Sequence, residues 1–211
     1  MIKISDERMF FKNDEKLGIK RNDEDKENVE RHVSRYKFAA EFVKKGDKVL
    51  DCACGAGYGS EILSSKANEV LGVDLDKDTI KFANKYYKND KITFINKNLF
   101  DLDFPENTFD IIVSIETIEH VKDATPYLKN VYKFLKKGGT AVLSTPMLRY
   151  KDGKPFITNP YHLNEMPRED FLKLTKSIFD ECKYYAQHQT EFPPLTTENT
   201  GFCIAICKKN K

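Results

Sequence analysis

What this chain lacks narrows its class before any motif is read. It has no charge bias, since 35 Lys and Arg against 33 Asp and Glu leave a net +2 over 211 residues. That is too little to build a field directed at nucleic acid or an anionic membrane. No apolar run approaches the roughly 20 residues that cross a bilayer. The amino terminus, with acids at Asp6 and Glu7, has neither the apolar core nor the cleavage signal of a secretory leader. Cysteine is sparse, and its count of five is odd. Cys52 and Cys54 lie two apart on one side of an extended stretch, while Cys182, Cys203 and Cys207 fall in apolar patterns. Buried free thiols in a reducing cytosol account for all five, and the spacing of a zinc site is missing. Internal repeats are absent too. The expectation is a cytoplasmic protein with no membrane partner, most economically one globular domain whose core needs no disulfide or structural metal. The Lys-rich end, 208–211, reads as a solvated tail.

What is present is a regular alternation of apolar runs and helical patterns. Residues 1–46 read as a charged arm, carrying the cluster Met9-Phe10-Phe11, followed by a cap helix over 29–43. The arm is expected to order only if it closes over something. From 47 to 211 the chain reads as one domain. Strands are predicted over 49–52, 70–73, 92–95, 109–114 and 140–144, with helices over 58–65, 77–87 and 124–134 between them. The last of these helices is expected to stop at Lys136-Lys137-Gly138-Gly139 through a left-handed residue. A helix over 167–178 and two extended segments over 181–186 and 202–207 complete the pattern, the last two pairing antiparallel at a sheet edge. Repeated strand–crossover units predict an α/β fold, a doubly wound and mostly parallel sheet. An irregular stretch at about 148–165, rich in Tyr, Pro and Asn, follows a strand's carboxyl end, where active-site covers occur in such folds.

The first chemical signal is Val49-Leu50-Asp51-Cys52-Ala53-Cys54-Gly55-Ala56-Gly57-Tyr58-Gly59, answered by Val73-Asp74. Glycines at 55, 57 and 59 allow a tight turn and close backbone approach to a ligand. Asp51, just before them, suits a ligand ammonium or polarised amides. Asp74, ending the second strand, is placed to take the hydroxyls of a ribose. Together they outline a nucleotide-type cofactor pocket at the carboxyl end of a parallel sheet.

These residues resemble the class I S-adenosylmethionine-dependent methyltransferases over essentially the whole chain. Asp51 to Gly57 is similar to the family's glycine-rich first motif, Asp74 to its ribose acid, and Phe109 to Ser114 to its fourth-strand motif. Asn98 stands where the common adenine-side acid is missing. The resemblance implies a seven-stranded sheet and S-adenosylmethionine held by Tyr36, Asp51, Ala53, Gly55, Gly57, Tyr58, Asp74, Leu75, Asn98, Leu99, Ser114 and Ile115. Arg35 reads either as reaching the cofactor carboxylate or as a surface pair.

The second signal is Glu116-Thr117-Ile118-Glu119-His120, directly after the fourth strand, with His162 in the later cover. If the segment turns helically, Glu116, Glu119 and His120 share a face. With His162 they make an N/O donor set for Mn²⁺, Fe²⁺, Zn²⁺ or Mg²⁺. The same residues also read as metal-free acid–base groups, with His120, His162 and Glu119 the candidate catalytic set, or as capping and packing residues. The small-RNA 3′-terminal ribose 2′-O-methyltransferases resemble this arrangement. So do bacterial methyltransferases with Arg-Tyr-x-Phe-Ala, Glu-Thr-Ile-Glu-His and Asn-Pro-Tyr/Phe-His segments, many linked to polysaccharide or capsule assembly. That second resemblance implies O-methylation of a sugar, sugar nucleotide or phosphorylated precursor. The acceptor is then a small molecule bearing hydroxyl and phosphate groups, with RNA as the alternative. Homo-oligomerisation stays open, since no coiled-coil pattern specifies it.

Overall fold

The computed structural model describes residues 8–17, 19, 26–197 and 201–211. In chain order the elements are α1 (Lys26–Ala40), β1 (Lys48–Cys52), α2 (Tyr58–Ser64), β2 (Glu69–Asp74), α3 (Lys77–Tyr86), β3 (Ile92–Asn96), β4 (Phe109–Ile115) and α4 (Thr125–Phe134). They are followed by β5 (Leu135–Pro146), β6 (Tyr150–Lys151), β7 (Lys154–Pro155), α5 (Arg168–Ile178), β8 (Glu181–Gln187) and β9 (Phe202–Lys208). The main sheet has seven strands in the order β3-β2-β1-β4-β5-β9-β8. It is mostly parallel, with β9 antiparallel to both β5 and β8. This is the doubly wound α/β sheet with an antiparallel edge hairpin that the sequence pattern predicts. Among the described residues no helix is long and apolar enough to cross a membrane.

The described residues up to Leu102 form one compact unit, and Asp103–Lys211 form another. In the first, β1, β2 and β3 run parallel, with Leu50 beside Leu71 and Val73 beside Ile95. Val49, Leu50, Val70, Val73, Phe82 and Ala83 are completely buried. Truncating a ring such as Phe82 to alanine costs about 3–5 kcal/mol in a core of this kind. The start of α3 is set by Asp76, whose side chain accepts from the Thr79 N–H at 2.7 Å, a cap worth about 1 kcal/mol. α1 ends at Ala40 rather than at 43. Beyond it Phe42 and Val43 donate to the carbonyls three residues back, at 3.1 and 3.3 Å, the tightened geometry that satisfies a helix's last carbonyls.

The arm's described residues pack on this unit. Phe10 meets Phe82 edge-on at 4.9 Å, Phe11 lies 4.7 Å from the Tyr58 ring, and Asp14 pairs with Lys85 at 2.7 Å. The expectation that no leader signal is present falls on residues outside those described.

In the second unit, β4 is buried along nearly its whole length, as a parallel strand covered on both faces must be. The predicted glycine stop after α4 is instead part of β5. Phe109 lies beside Leu135 and Ile111 beside Thr140, so the chain bulges between these pairs. Gly138, at φ +79°, donates to the Lys209 carbonyl at 2.6 Å, and Lys209 donates back to Gly139 at 3.2 Å. The reading of 208–211 as a solvated tail is therefore corrected. Lys208 ends β9, Lys209 is buried, and the Asn210 N–H is held by Asp180 at 2.8 Å. The strand edge supplies backbone partners that the run of lysines conceals.

Candidate functional site

In the first unit the site begins with the turn after β1. Ala53, Gly55 and Gly57 all have positive φ, at 55°, 53° and 95°. The chain can coil tightly there only with residues that tolerate the left-handed region. Gly57 has a second constraint, because a Cβ would stand 2.8 Å from Phe94 and 2.9 Å from Ala83. On Gly59 a Cβ would run into the Tyr36 ring, so this glycine makes room for the side chain that reaches Asp51.

Asp51 ends its run completely buried. Ser60 Oγ donates to one carboxyl oxygen at 2.6 Å and the Tyr36 hydroxyl to the other at 3.2 Å. Burial pushes this carboxyl up to about 7; the hydrogen bonds from Ser60 and Tyr36 oppose the rise, and the Asp74 charge adds to it. A folded-state value above the ordinary 3.8 means that the native state keeps a proton which the unfolded chain has lost. Stability from this group therefore falls as pH rises from about 4 to about 7 and stays reduced above that. Denaturant unfolding of wild type and Asp51→Asn at pH 5 and pH 8 should show a steeper decline in wild type; equal slopes would contradict the assignment.

Asp74, at the end of β2, is also buried. It accepts from the Gly55 N–H at 3.1 Å and the Asp76 N–H at 2.8 Å. Arg8 of the arm donates to both of its oxygens, through Nη2 at 2.6 Å and Nε at 3.2 Å. Asn96 fixes this corner by donating to the carbonyls of Asp74 and Leu75 at 3.0 and 2.7 Å. Leu75 presents an exposed apolar face. Asn98 and Leu99 are half-buried, and Asn98 Oδ1 accepts from the Phe100 N–H at 2.9 Å, so it caps its own turn. Tyr58 is buried between the Phe11 and Tyr36 rings. Arg35 is buried, not a surface side chain.

The chemistry of this donor set fits S-adenosylmethionine. A carboxylate at a strand end suits a vicinal diol and an acid beside the turn suits an ammonium; a Cβ on Gly55 would lie 3.9 Å from Arg8 Cγ. The carboxylate of Asp74 has about four acceptor positions, and Arg8, Gly55 and Asp76 fill them.

The second unit carries the other half of the predicted set. Ser114 and Ile115 close β4, both buried, and Ser114 Oγ receives the Tyr127 hydroxyl at 2.8 Å. Glu119 and His120 lie in a single 3-10 turn, Ile118–His120. The Glu119 carbonyl accepts from Leu163 and Asn164 at 2.7 and 3.0 Å, which ties the turn to the segment bearing His162. Glu119, His120 and His162 each offer a ligand atom, and these atoms lie within 4.8 Å of one another. The two imidazole rings stand edge to face, 5.0 Å apart. Glu119 is buried, with one oxygen accepting from Thr145 Oγ1 at 3.0 Å.

Glu116 is not brought into this group. Its backbone is left-handed, at φ +52°, and the helical turn starts only at Ile118. Its carboxylate accepts instead from Ser144 Oγ at 2.9 Å. The donor set of one carboxylate and two imidazoles suits a divalent ion of borderline hardness. His120 Nδ1 faces the Tyr161 carbonyl at 3.2 Å. Only a donor is favourable opposite a carbonyl, so Nδ1 carries a proton, and in the neutral ring the lone pair is on Nε2, as in metal-ligating imidazoles.

Four contributors escape the sequence reading. Arg8 sits far from Asp74 in the chain, and Ser60 is a small polar residue in a helix. Tyr161 acts through its backbone. Glu165 is the one with a local signal, an acid three residues after His162.

Comparison with known proteins follows the same lines. A family model described as a methyltransferase domain matches residues 50–143. A Mycolicibacterium smegmatis protein named "Probable S-adenosylmethionine-dependent methyltransferase" is 28% identical over 133 residues, covering 63% of this chain and 51% of that protein. Phosphoethanolamine N-methyltransferase 1 of Zea mays is 35% identical over 169 residues, 79% of this chain and 30% of that protein. The chain thus spans about half or less of the length of these curated relatives. The solved YcgJ protein of Bacillus subtilis shares the fold at a TM-score of 0.67, with 17% identity, covering 85% of this chain and all of that one. Matched domain, relatives and sheet order converge: residues 50–143 match a methyltransferase domain, and the chain is similar to S-adenosylmethionine-dependent methyltransferases in sequence and sheet order.

Proposed function

We propose that this protein is a metal-assisted methyltransferase that moves a methyl group from S-adenosylmethionine to a hydroxyl of a small, phosphate-bearing acceptor, such as a sugar nucleotide or phosphorylated glycan precursor. The observation that carries this reading is the cluster of Glu119, His120 and His162, with ligand atoms within 4.8 Å. Bound S-adenosylmethionine supplies an electrophilic methyl on a good leaving group, so alignment provides most of the rate. An oxygen acceptor adds the problem of its proton. A divalent ion held by Glu119, His120 and His162 would supply Lewis acidity, lowering the pKa of a bound hydroxyl. Asp51, Gly55, Gly57 and Asp74 hold the donor. Thr145 holds the Glu119 carboxyl, and the Leu163 and Asn164 amides fix its turn.

The plant phosphoethanolamine N-methyltransferases among the relatives support a phosphorylated acceptor and favour a second reading, transfer to an amine. A nitrogen lone pair needs no metal to be unmasked, so metal dependence separates the two.

Labelled S-adenosylmethionine is offered three pools: sugar nucleotides with phosphorylated sugars, phosphoethanolamine, and short RNAs, each with Mn²⁺ or with EDTA. Label is expected in the sugar pool with Mn²⁺, falling by about two orders of magnitude or more with EDTA. Metal-indifferent label in phosphoethanolamine establishes the second reading, and transfer to RNA ends overturns the small acceptor.

A further inference from the structure

We infer that Glu165 is a positioning residue that, with Asn159, holds His162 as the Nδ1–H tautomer and so aims its Nε2 lone pair. The inference rests on the proposed metal site for its purpose but not for its geometry. Its starting point is an amide whose orientation is fixed. The Tyr161 N–H donates to Asn159 Oδ1 at 3.0 Å, which leaves Asn159 Nδ2 as the atom facing His162 Nε2, also at 3.0 Å. An amide NH₂ can only donate, so Nε2 must accept. The ring proton then belongs on Nδ1, which lies 2.6 Å from Glu165 Oε1.

The Glu165 side chain is 1% exposed, and its second oxygen, Oε2, has no hydrogen-bond partner among the described residues. The carboxyl's hydrogen bonding is thus concentrated on the imidazole. Each alternative proton placement puts two donors face to face, at Nε2 against Asn159. With His120 set the same way by the Tyr161 carbonyl, the segment Asn159–Glu165 orients both rings. Tyr161 serves twice, through its N–H and its C=O.

Such a carboxylate–histidine pair raises ligand basicity, and its loss from a metal site typically costs 10–100-fold in affinity. The Asn159 amide faces the Nε2 lone pair that an ion would take. It holds the ring in place without adding a competing charge.

The test is a long-range ¹H–¹⁵N spectrum of the ¹⁵N-labelled protein in EDTA, above pH 8. The chain has four histidines, and His162→Gln identifies the ring. Wild type should show a protonated Nδ1 and a bare Nε2. Glu165→Gln retains an acceptor and should keep that pattern. Glu165→Ala should convert it to a tautomer mixture or to Nε2–H. A wild-type ring in the Nε2–H form overturns the inference by itself, even if the alanine variant fails to fold. An unchanged pattern in folded Glu165→Ala overturns it as well.

A second readout is Mn²⁺ binding followed by water-proton relaxation. Affinity should fall 10–100-fold in Glu165→Ala and largely return in Glu165→Gln; equal affinities in wild type and Glu165→Ala would overturn the positioning role. If wild type binds no Mn²⁺, the metal reading fails while the tautomer assignment stands or falls on the spectrum.

Discussion

His120→Ala is expected to lower kcat at least about a thousandfold, while binding of S-adenosylhomocysteine stays nearly intact. The separation follows from where the residues stand. His120 belongs to the Ile118–His120 turn, whereas the set proposed to hold the cofactor is built on Asp51, the glycine turn and Asp74. Unfolding would not produce the loss. The ring is half-buried, and its hydrogen bond to the Tyr161 carbonyl is worth about 1 kcal/mol net, a small part of a domain's stability. Single-turnover assays with calorimetry on the same preparations make the comparison. Turnover at the wild-type rate would remove His120 from the chemistry.

The second large effect is a pair of opposite shifts. Asp74→Ala should weaken S-adenosylhomocysteine binding by about two orders of magnitude, the worth of one or two hydrogen bonds to a charged group. Arg8→Gln should strengthen it several-fold, because the neutral side chain lets go of the carboxylate more readily. Both are read by calorimetry at one ionic strength. If the two substitutions shift affinity in the same direction, the ribose-side assignment of Asp74 is wrong.

Much of the frame was legible because it depends on local rules. Val49 to Cys52 and Phe109 to Ser114 are short apolar runs bounded by turn residues, and both became strands. The same rules misled at Lys136–Gly139, where a basic pair and two glycines look like a helix stop. There the deciding partner is the backbone of Lys209, some 70 residues away in the chain, which no local pattern reveals. The site divides in the same way. Asp51, Asp74, Glu119, His120 and His162 are chemically conspicuous and could be named from their placement beside strands. Glu116 looked equivalent to Glu119 in the sequence, and a left-handed φ of 52° took it out of the cluster. Arg8 and Ser60 act only through tertiary proximity to residues already named, whereas Glu165 lies three residues after His162.

On the proposed ribose-side role of Asp74, its contact with Arg8 makes the chain a competitor with its own cofactor. A group held on a short tether acts at an effective concentration of order millimolar, however dilute the protein is. The apparent dissociation constant of the cofactor is its intrinsic value divided by the fraction of molecules whose arm has let go. A tight intrinsic grip would then appear as moderate affinity. The fraction of molecules with Asp74 on its own arginine would fall smoothly as cofactor concentration rises. On that proposal, the grip of Arg8 on Asp74 would set the cofactor concentration at which the site half-fills.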